Sequence, residues 1–335
     1  MFRTMTPKNL YVHFPFCRAK CAYCALFSRA GVDAIARDEY VRQLARAIDP
    51  AAPLATVYFG GGSPALCDLR PLFKVLNVTD ETEFTVELHP LDVTDDLLLR
   101  LRDGGVNRIS MGLQSLDDET LRAMGRLYTA DEAAHAFSRI RRVFDNAGVD
   151  LIVGFPGDPC RGFGALASWG LSHASVYTLQ NERHLEGVPS DAFMLDKAAE
   201  ARAALDAAGL SRYEISNYAV LSRECRHNLA VWCGEDYRGL GAGACGREGL
   251  RRTQGVFEKG QVVYREETLD ARRDRVERAI FRLRTRRGLD ATLFPEWEAR
   301  LLPSLQEGLL VKEGNIYRLT PRGAEVCDAI LADLV

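Results

Sequence analysis

The chain has 335 residues, 47% of them hydrophobic and 27% charged, with 43 basic against 46 acidic side chains and a net charge of −3. At about 150 residues per domain this is roughly two domains, or one large barrel with an appendage, and the fractions exclude disordered, collagenous and coiled-coil chains. The near-neutral balance argues against a dedicated nucleic-acid binder, and no apolar run reaches the roughly 18 residues that span a bilayer. Met1–Lys8 has no apolar core after its charges, so a secretory leader is not expected and a cytoplasmic location is.

In chain order, Leu10–His13 (LYVH) predicts a strand, followed by a cysteine-bearing loop and a helix over Ala34–Ile48. Thr56–Phe59 (TVYF) is the next strand and runs into the glycines Gly60–Gly62. Glu83–Leu88, Arg108–Met111, Asp150–Val153 and Ser175–Leu179 continue the series, with helices expected at Asp95–Arg102 and Ala130–Ala147. Six strands alternating with helices imply βαβ units and right-handed crossovers. The fold class is therefore α/β, a partial or full (β/α) barrel that gathers ligands at the C-terminal ends of its strands. An open doubly wound sheet has the same periodicity.

Beyond about residue 250 the texture changes. Gln254–Arg265 predicts a hairpin turning near Lys259-Gly260, and Asp270–Arg287 a charge-dense helix with an i,i+4 pair from Asp274 to Arg278. Leu309–Leu319 predicts a second hairpin and Thr320–Leu334 a helix, together a small winged-helix-like α+β module. The expected division is a core domain over 1–250 and a C-terminal domain over 251–335. The arginines of this region are expected on a solvated helix face.

Nine cysteines, an odd number, do not make a disulfide framework in such a chain. Six are scattered, and small buried hydrophobes account for them. The other three, Cys17, Cys21 and Cys24, form CxxxCxxC on the loop leaving the first strand. Thiolates hold iron–sulfur clusters, and three ligands on a four-iron cluster leave one iron open to a substrate or cofactor. A tetrahedral zinc site would need a distant fourth ligand such as Cys67 or His89.

Tyr11-Val-His13-Phe-Pro-Phe16-Cys17 followed by CxxxCxYC resembles the radical S-adenosylmethionine (SAM) superfamily. Within it, the chain is similar to the oxygen-independent coproporphyrinogen III oxidase-like family and its haem chaperone (HemW) branch. The resemblance runs from Tyr11 to about Leu331. It includes Gly60-Gly61-Gly62-Ser63-Pro64, Asn107–Gln114 (NRISMGLQ), Asp150–Gly157 (DLIVGFPG), Tyr213–Ala219 (YEISNYA) and Cys225–Leu229 (CRHNL).

The resemblance implies a partial (β/α)6 radical-SAM barrel with a [4Fe–4S] cluster held by Cys17, Cys21 and Cys24. SAM then binds the open iron and is cleaved to methionine and a 5′-deoxyadenosyl radical, chemistry that the cofactors carry and the protein positions. It further implies Tyr11 beside the cluster, Tyr23 near the adenine, and Gly61, Gly62 and Ser63 at the SAM amino group. Glu87 would bond the ribose hydroxyls, with Gln114, Arg126 and Asp150 completing the SAM site. A guanidinium such as that of Arg126 suits a carboxylate because its fork reaches both oxygens.

Three places divide the branches. The oxidase carries an additional cysteine two residues after its last cluster cysteine, where this chain has Leu26. It also has a longer segment ahead of the cluster loop, where sixteen residues precede Cys17 here. Both differences favour the chaperone branch, whose HNxxY motif supplies a histidine implicated in haem binding. Here His227-Asn228 is present but Val231 stands in place of tyrosine, and Cys245 stands where relatives carry histidine. A buried thiol is the expectation for Cys245.

The function implied is a haem chaperone that binds haem and SAM, takes electrons from a reductant such as flavodoxin or ferredoxin, and meets a membrane haem-protein recipient transiently. The alternatives are a coproporphyrinogen III oxidase making protoporphyrinogen IX and a divergent radical-SAM enzyme of tetrapyrrole metabolism.

Overall fold

In the computed structural model, which describes Pro7–Leu334, six strands follow one another in chain order: β1 (Asn9–Phe14), β2 (Thr56–Gly61), β3 (Glu83–Leu88), β4 (Arg108–Gln114), β5 (Ala147–Val153) and β6 (His173–Thr178). Most of the amino-terminal stretch considered for a leader, Met1–Thr6, lies outside the described residues. Each strand is parallel to the one before it. A doubly wound sheet reverses its strand order at a switch point. This sheet advances in one direction from β1 to β6, which is the path of a barrel wall.

Period-two alternation explains what each face of that wall carries. Leu10, Val12 and Phe14 of β1, Val57 and Phe59 of β2, and Phe84, Val86 and Leu88 of β3 pack into the main apolar core. The alternate residues point the other way: Asn9, Tyr11 and His13, then Thr56 and Tyr58, then Glu83, Thr85 and Glu87. Arg108 and Ser110 of β4, Asp150 of β5, and His173 and Ser175 of β6 continue this polar interior. The helices seal the apolar face. Helix α1 (Ala34–Ala47) starts at Asp33, whose side chain accepts the Ala36 N–H at 2.8 Å, and buries Tyr40, Val41 and Leu44. Helix α2 (Asp95–Asp103) is capped by Thr94, and α3 (Ala130–Arg141) by a Thr129/Glu132 capping box.

The sheet continues beyond the six strands. At one end lie β7 (Ser211–Arg212) and β8 (Asn217–Ala219), with β8 antiparallel to β6. At the other, β9 (Tyr237–Leu240) runs parallel to β1, and β10 (Cys245–Glu248), β11 (Arg251–Glu258) and β12 (Gln261–Thr268) follow it antiparallel. The β11–β12 hairpin turns at Lys259-Gly260, both at positive φ (49° and 82°), as the sequence predicts. Helices that carried no prediction include α4 (Asp191–Ala207), which fully buries only Ala201 and Leu205, and the short α5 (Arg226–Trp232).

Helix α6 (Ala271–Leu283) opens a second apolar cluster that includes Ala279, Leu283, Trp297, Leu301, Tyr317 and Leu331. A small sheet of β13 (Leu289–Asp290), β14 (Leu310–Glu313) and β15 (Ile316–Leu319) packs there. The Asp274–Arg278 pair forms, with Nε donating to the carboxylate at 2.9 Å. Two predicted boundaries shift. The helix expected over Ala130–Ala147 ends at Arg141, because Ala147 already belongs to β5 and is fully buried. The helix expected over Thr320–Leu334 is two, Pro321–Glu325 and Cys327–Ala332, broken at Val326 (φ −114°, ψ 26°). Among the described residues no helix is long and apolar enough to cross a membrane.

Candidate functional site

The polar interior of the barrel opens into a cavity of about 1400 Å³, and every candidate site residue, from Tyr11 to His227, lines it. The thiols of Cys17, Cys21 and Cys24 are half-buried on its wall, and none is in a disulfide. Their loop is fastened at several points. Phe16-Cys17 pairs with Arg29-Ala30, the Ala22 N–H donates to the Met124 carbonyl at 3.0 Å, and Lys20 Nζ donates to the Leu26 carbonyl at 2.7 Å. Arg18 Nε donates to Asp92 Oδ1 at 2.8 Å, and the Ser63 hydroxyl donates to the other oxygen of the same carboxylate. Asp92, buried and absent from the sequence reading, thus joins the cysteine loop to the glycine run.

The glycine run itself follows β2 and is held against the same loop. The Gly62 N–H donates to the Phe14 carbonyl and the Ser63 N–H to the Phe16 carbonyl, both at 2.7 Å. Gly61 has φ 103°, and a Cβ there would meet the His13 ring at 2.5 Å. A Cβ on Gly62 would collide with the Phe16 carbonyl and lie 2.9 Å from Cys17 Sγ. Only glycine leaves the backbone this close to the thiol.

Two half-buried carboxylates face the cavity. Glu87 accepts from the Tyr58 hydroxyl at 2.8 Å and the Gly61 N–H at 3.0 Å. Burial, then the charge of Asp150, pushes its carboxyl up to about 7. Asp150 accepts from Ser110 Oγ at 3.0 and 3.1 Å, and burial raises its carboxyl as well. Beside them, Gln114 ends β4 at φ 68°. A Cβ on Gly112 would lie 2.7 Å from Gln114 Nε2 and 3.1 Å from Arg126 Nη2. The Arg126 guanidinium lies 6.0 Å over the Tyr23 ring and 5.6 Å over that of Tyr128, and its Nε is shielded from solvent without a hydrogen-bond partner among the described residues. A shielded guanidinium N–H without a partner is a donor that a ligand acceptor would satisfy.

Tyr11 donates to His13 Nδ1 at 2.9 Å, which requires the His13 proton on Nε2, where it donates to the Phe27 carbonyl at 2.8 Å. His227, 4% exposed, stands below Tyr11 and Tyr58, its ring centroid 6.4 and 5.4 Å from theirs. It enters from α5, whose first N–H groups are capped by Glu83: Arg226 and His227 each donate to that carboxylate at 3.0 Å. Val231, one turn on, lines the same cavity. Cys245 also lines it but is exposed, at the first position of β10, and not the buried thiol expected; Cys160, Cys225, Cys233 and Cys327 are buried and Cys67 half-buried. Among the described residues no three His, Cys, Asp or Glu side chains converge on a single-ion site, so the zinc arrangement with Cys67 or His89 is not formed. Neither Tyr58 nor His13 carries a site role in the sequence reading, although the alternation that places Tyr11 inside the barrel also places both of them there.

Residues 11–169 match the radical SAM superfamily. The haem chaperone HemW of Bacillus subtilis (strain 168) is 30% identical, across 98% of this chain and 100% of its own length. The chain belongs to the HemW family of radical SAM proteins. HemW of Escherichia coli (strain K12) is 32% identical across 72% of this chain and 71% of its own. In fold, the chain is similar to the coproporphyrinogen III oxidase HemN of Escherichia coli, with a TM-score of 0.82 at 21% identity, covering 98% of this chain and 90% of that one. Membership of the HemW family implies a [4Fe–4S] cluster and SAM. The residues present fit both groups: three free thiols on one wall, glycine backbone that no side chain could replace beside Cys17, and a shielded Arg126 Nε without a partner among the described residues.

Proposed function

We propose that this HemW-family chain is a haem chaperone. It takes haem at His227, keeps a cluster and SAM in the same cavity, and hands the haem to respiratory enzymes at the membrane from the cytoplasm. The observation that carries the reading is a neutral, buried imidazole opening onto the cavity that the three thiols line, in a chain related over its whole length to haem chaperones. Burial, with the charge of Arg108, lowers His227 to about 4, so at neutral pH it is an uncharged imidazole that would serve as a ligand to haem iron.

In this reading Cys17, Cys21 and Cys24 hold the cluster, with Tyr11 beside it. Together, cluster and SAM supply one-electron chemistry when bound. Tyr23 borders the adenine, Gly61, Gly62 and Ser63 take the amino group, and Glu87 accepts from the ribose hydroxyls. Arg126 binds the carboxylate, and Gln114 and Asp150 orient the rest. Residues 251–335 complete the haem cavity, since Ala324–Ala329 and Arg284 form part of its wall. A reductant of the flavodoxin or ferredoxin type approaches the cysteine loop.

The test is anaerobic incubation of reconstituted protein with haem in one tube and with coproporphyrinogen III plus reductant in another. Haem binding that disappears in His227→Ala, with no porphyrinogen turnover, is the expected result; Cys21→Ala loses the cluster's iron and its visible absorption. Protoporphyrinogen formation would overturn the reading in favour of the oxidase, which Leu26 at the oxidase's cysteine position disfavours.

A further inference from the structure

His227 is held by a chain of hydrogen bonds whose direction is determined at its far end. Asn9 Nδ2 faces two groups that only accept, the Asp236 carbonyl at 3.1 Å and Glu235 Oε2 at 3.4 Å. The other end of the Asn9 amide is therefore its oxygen, and Oδ1 accepts from the Thr56 hydroxyl at 2.9 Å. A hydroxyl has one proton, and that proton is spent on Asn9. At 2.8 Å from Thr56 Oγ1, His227 Nδ1 must then be the donor. An imidazole that is neutral and protonated on Nδ1 carries its lone pair on Nε2, and among the described residues Nε2 has no hydrogen-bond partner.

We infer that Asn9 and Thr56 are positioning residues that hold His227 as the Nδ1–H tautomer and so present Nε2 to the cavity as a ligand for a metal centre. The inference rests on the haem reading for the identity of that centre, and on the hydrogen-bond chain alone for the tautomer. The choice of partner has a chemical consequence. A histidine whose Nδ1–H is bonded to a carboxylate is driven toward imidazolate and donates strongly to its metal. Here the acceptor is a neutral hydroxyl already engaged as a donor, so Nε2 is a moderate donor. Such a ligand fits a carrier that must release its cargo.

The first test needs no haem. In the full-length protein labelled with 15N-histidine, His227, assigned by its loss in His227→Ala, is expected to show a protonated Nδ1 and a bare Nε2 between about pH 6 and 8. An Nε2–H tautomer would overturn the inference outright. The second test is haem titration of Thr56→Val, which keeps the shape and removes the acceptor, and Thr56→Ser, which keeps the hydroxyl. Loss of a hydrogen bond behind a metal-ligating histidine weakens affinity roughly 10- to 100-fold. Thr56→Val is expected to bind haem at least about 10-fold more weakly with a shifted Soret band, and Thr56→Ser to restore both. Equal affinity and equal spectra in Thr56→Val and wild type would sink the inference even with the fold intact by circular dichroism. Unchanged haem binding in His227→Ala defeats the chaperone reading instead, leaving the tautomer measurement to stand by itself.

Discussion

At the scale of single residues, Glu87 has the clearest pH signature. Its carboxyl is pushed from an ordinary 4.5 up to about 7 by burial and by Asp150. Between these values the folded chain holds a proton that the unfolded chain has released. Stability from this group is therefore full below about pH 4.5, falls as pH rises toward 7, and is flat above. Glu87→Gln removes the slope, so the variant is expected to melt higher than wild type at pH 7.5 and level with it at pH 4.5. Thermal melts at the two pH values decide this, and a difference independent of pH would contradict it. Above pH 7 the ionised carboxylate is the better acceptor for hydroxyl groups, which accords with a role toward a ribose.

At the scale of elements, the join between the end of β2 and the cysteine loop is the tightest feature of the site. Gly62→Ala would drive a methyl group into the Phe16 carbonyl and against Cys17 Sγ. Overpacking of this kind costs about 1–3 kcal/mol, and here the strain falls on the segment that carries the first thiol. The variant is expected to lose stability in denaturant unfolding and to retain less iron after reconstitution; full iron content at wild-type stability would refute the close approach. The same region shows what the sequence made legible. TVYF followed by three glycines marks a strand running into a turn, and the alternation in LYVH and EFTVEL separates core-facing from cavity-facing residues without a structure. Asp92 was not legible, because its bonds to Arg18 and Ser63 join residues far apart in the chain. Helix α4 was missed because its alanine-rich turns bury little and show no sharp apolar stripe, and β9 because YRGL offers one strongly apolar residue. Cys245 was misplaced since exposure at a strand's first residue leaves no mark in composition.

At the scale of the whole molecule, the large sheet and the second apolar cluster are locked by Arg247. This side chain is 3% exposed, bonds to Asp274 and reaches Glu277 at 3.4 Å, so a strand of the sheet grips the helix that opens the C-terminal core. Arg278 and Arg252 bond the same two carboxylates. With Arg247 removed the two carboxylates keep Arg278 and Arg252, so the loss is that of charge-assisted hydrogen bonds, about 1.5–3 kcal/mol. Arg247→Ala is expected to lower unfolding stability by that order in urea titrations, whereas loss of the exposed pair Arg265–Glu258 should cost well under about 1 kcal/mol. Similar small losses in both variants would show that the two cores are not coupled through this cluster.

The pairing of β1 carries a consequence for biogenesis. One neighbour of β1, β2, is made soon after it, but the other, β9, begins only at Tyr237. During translation the strand bearing Tyr11 and His13 therefore emerges with one edge bare, and a bare edge is a template for unwanted strand addition. The loop with Cys17, Cys21 and Cys24 emerges directly behind it, long before the segment from Ala324 to Ala329 that walls the finished cavity.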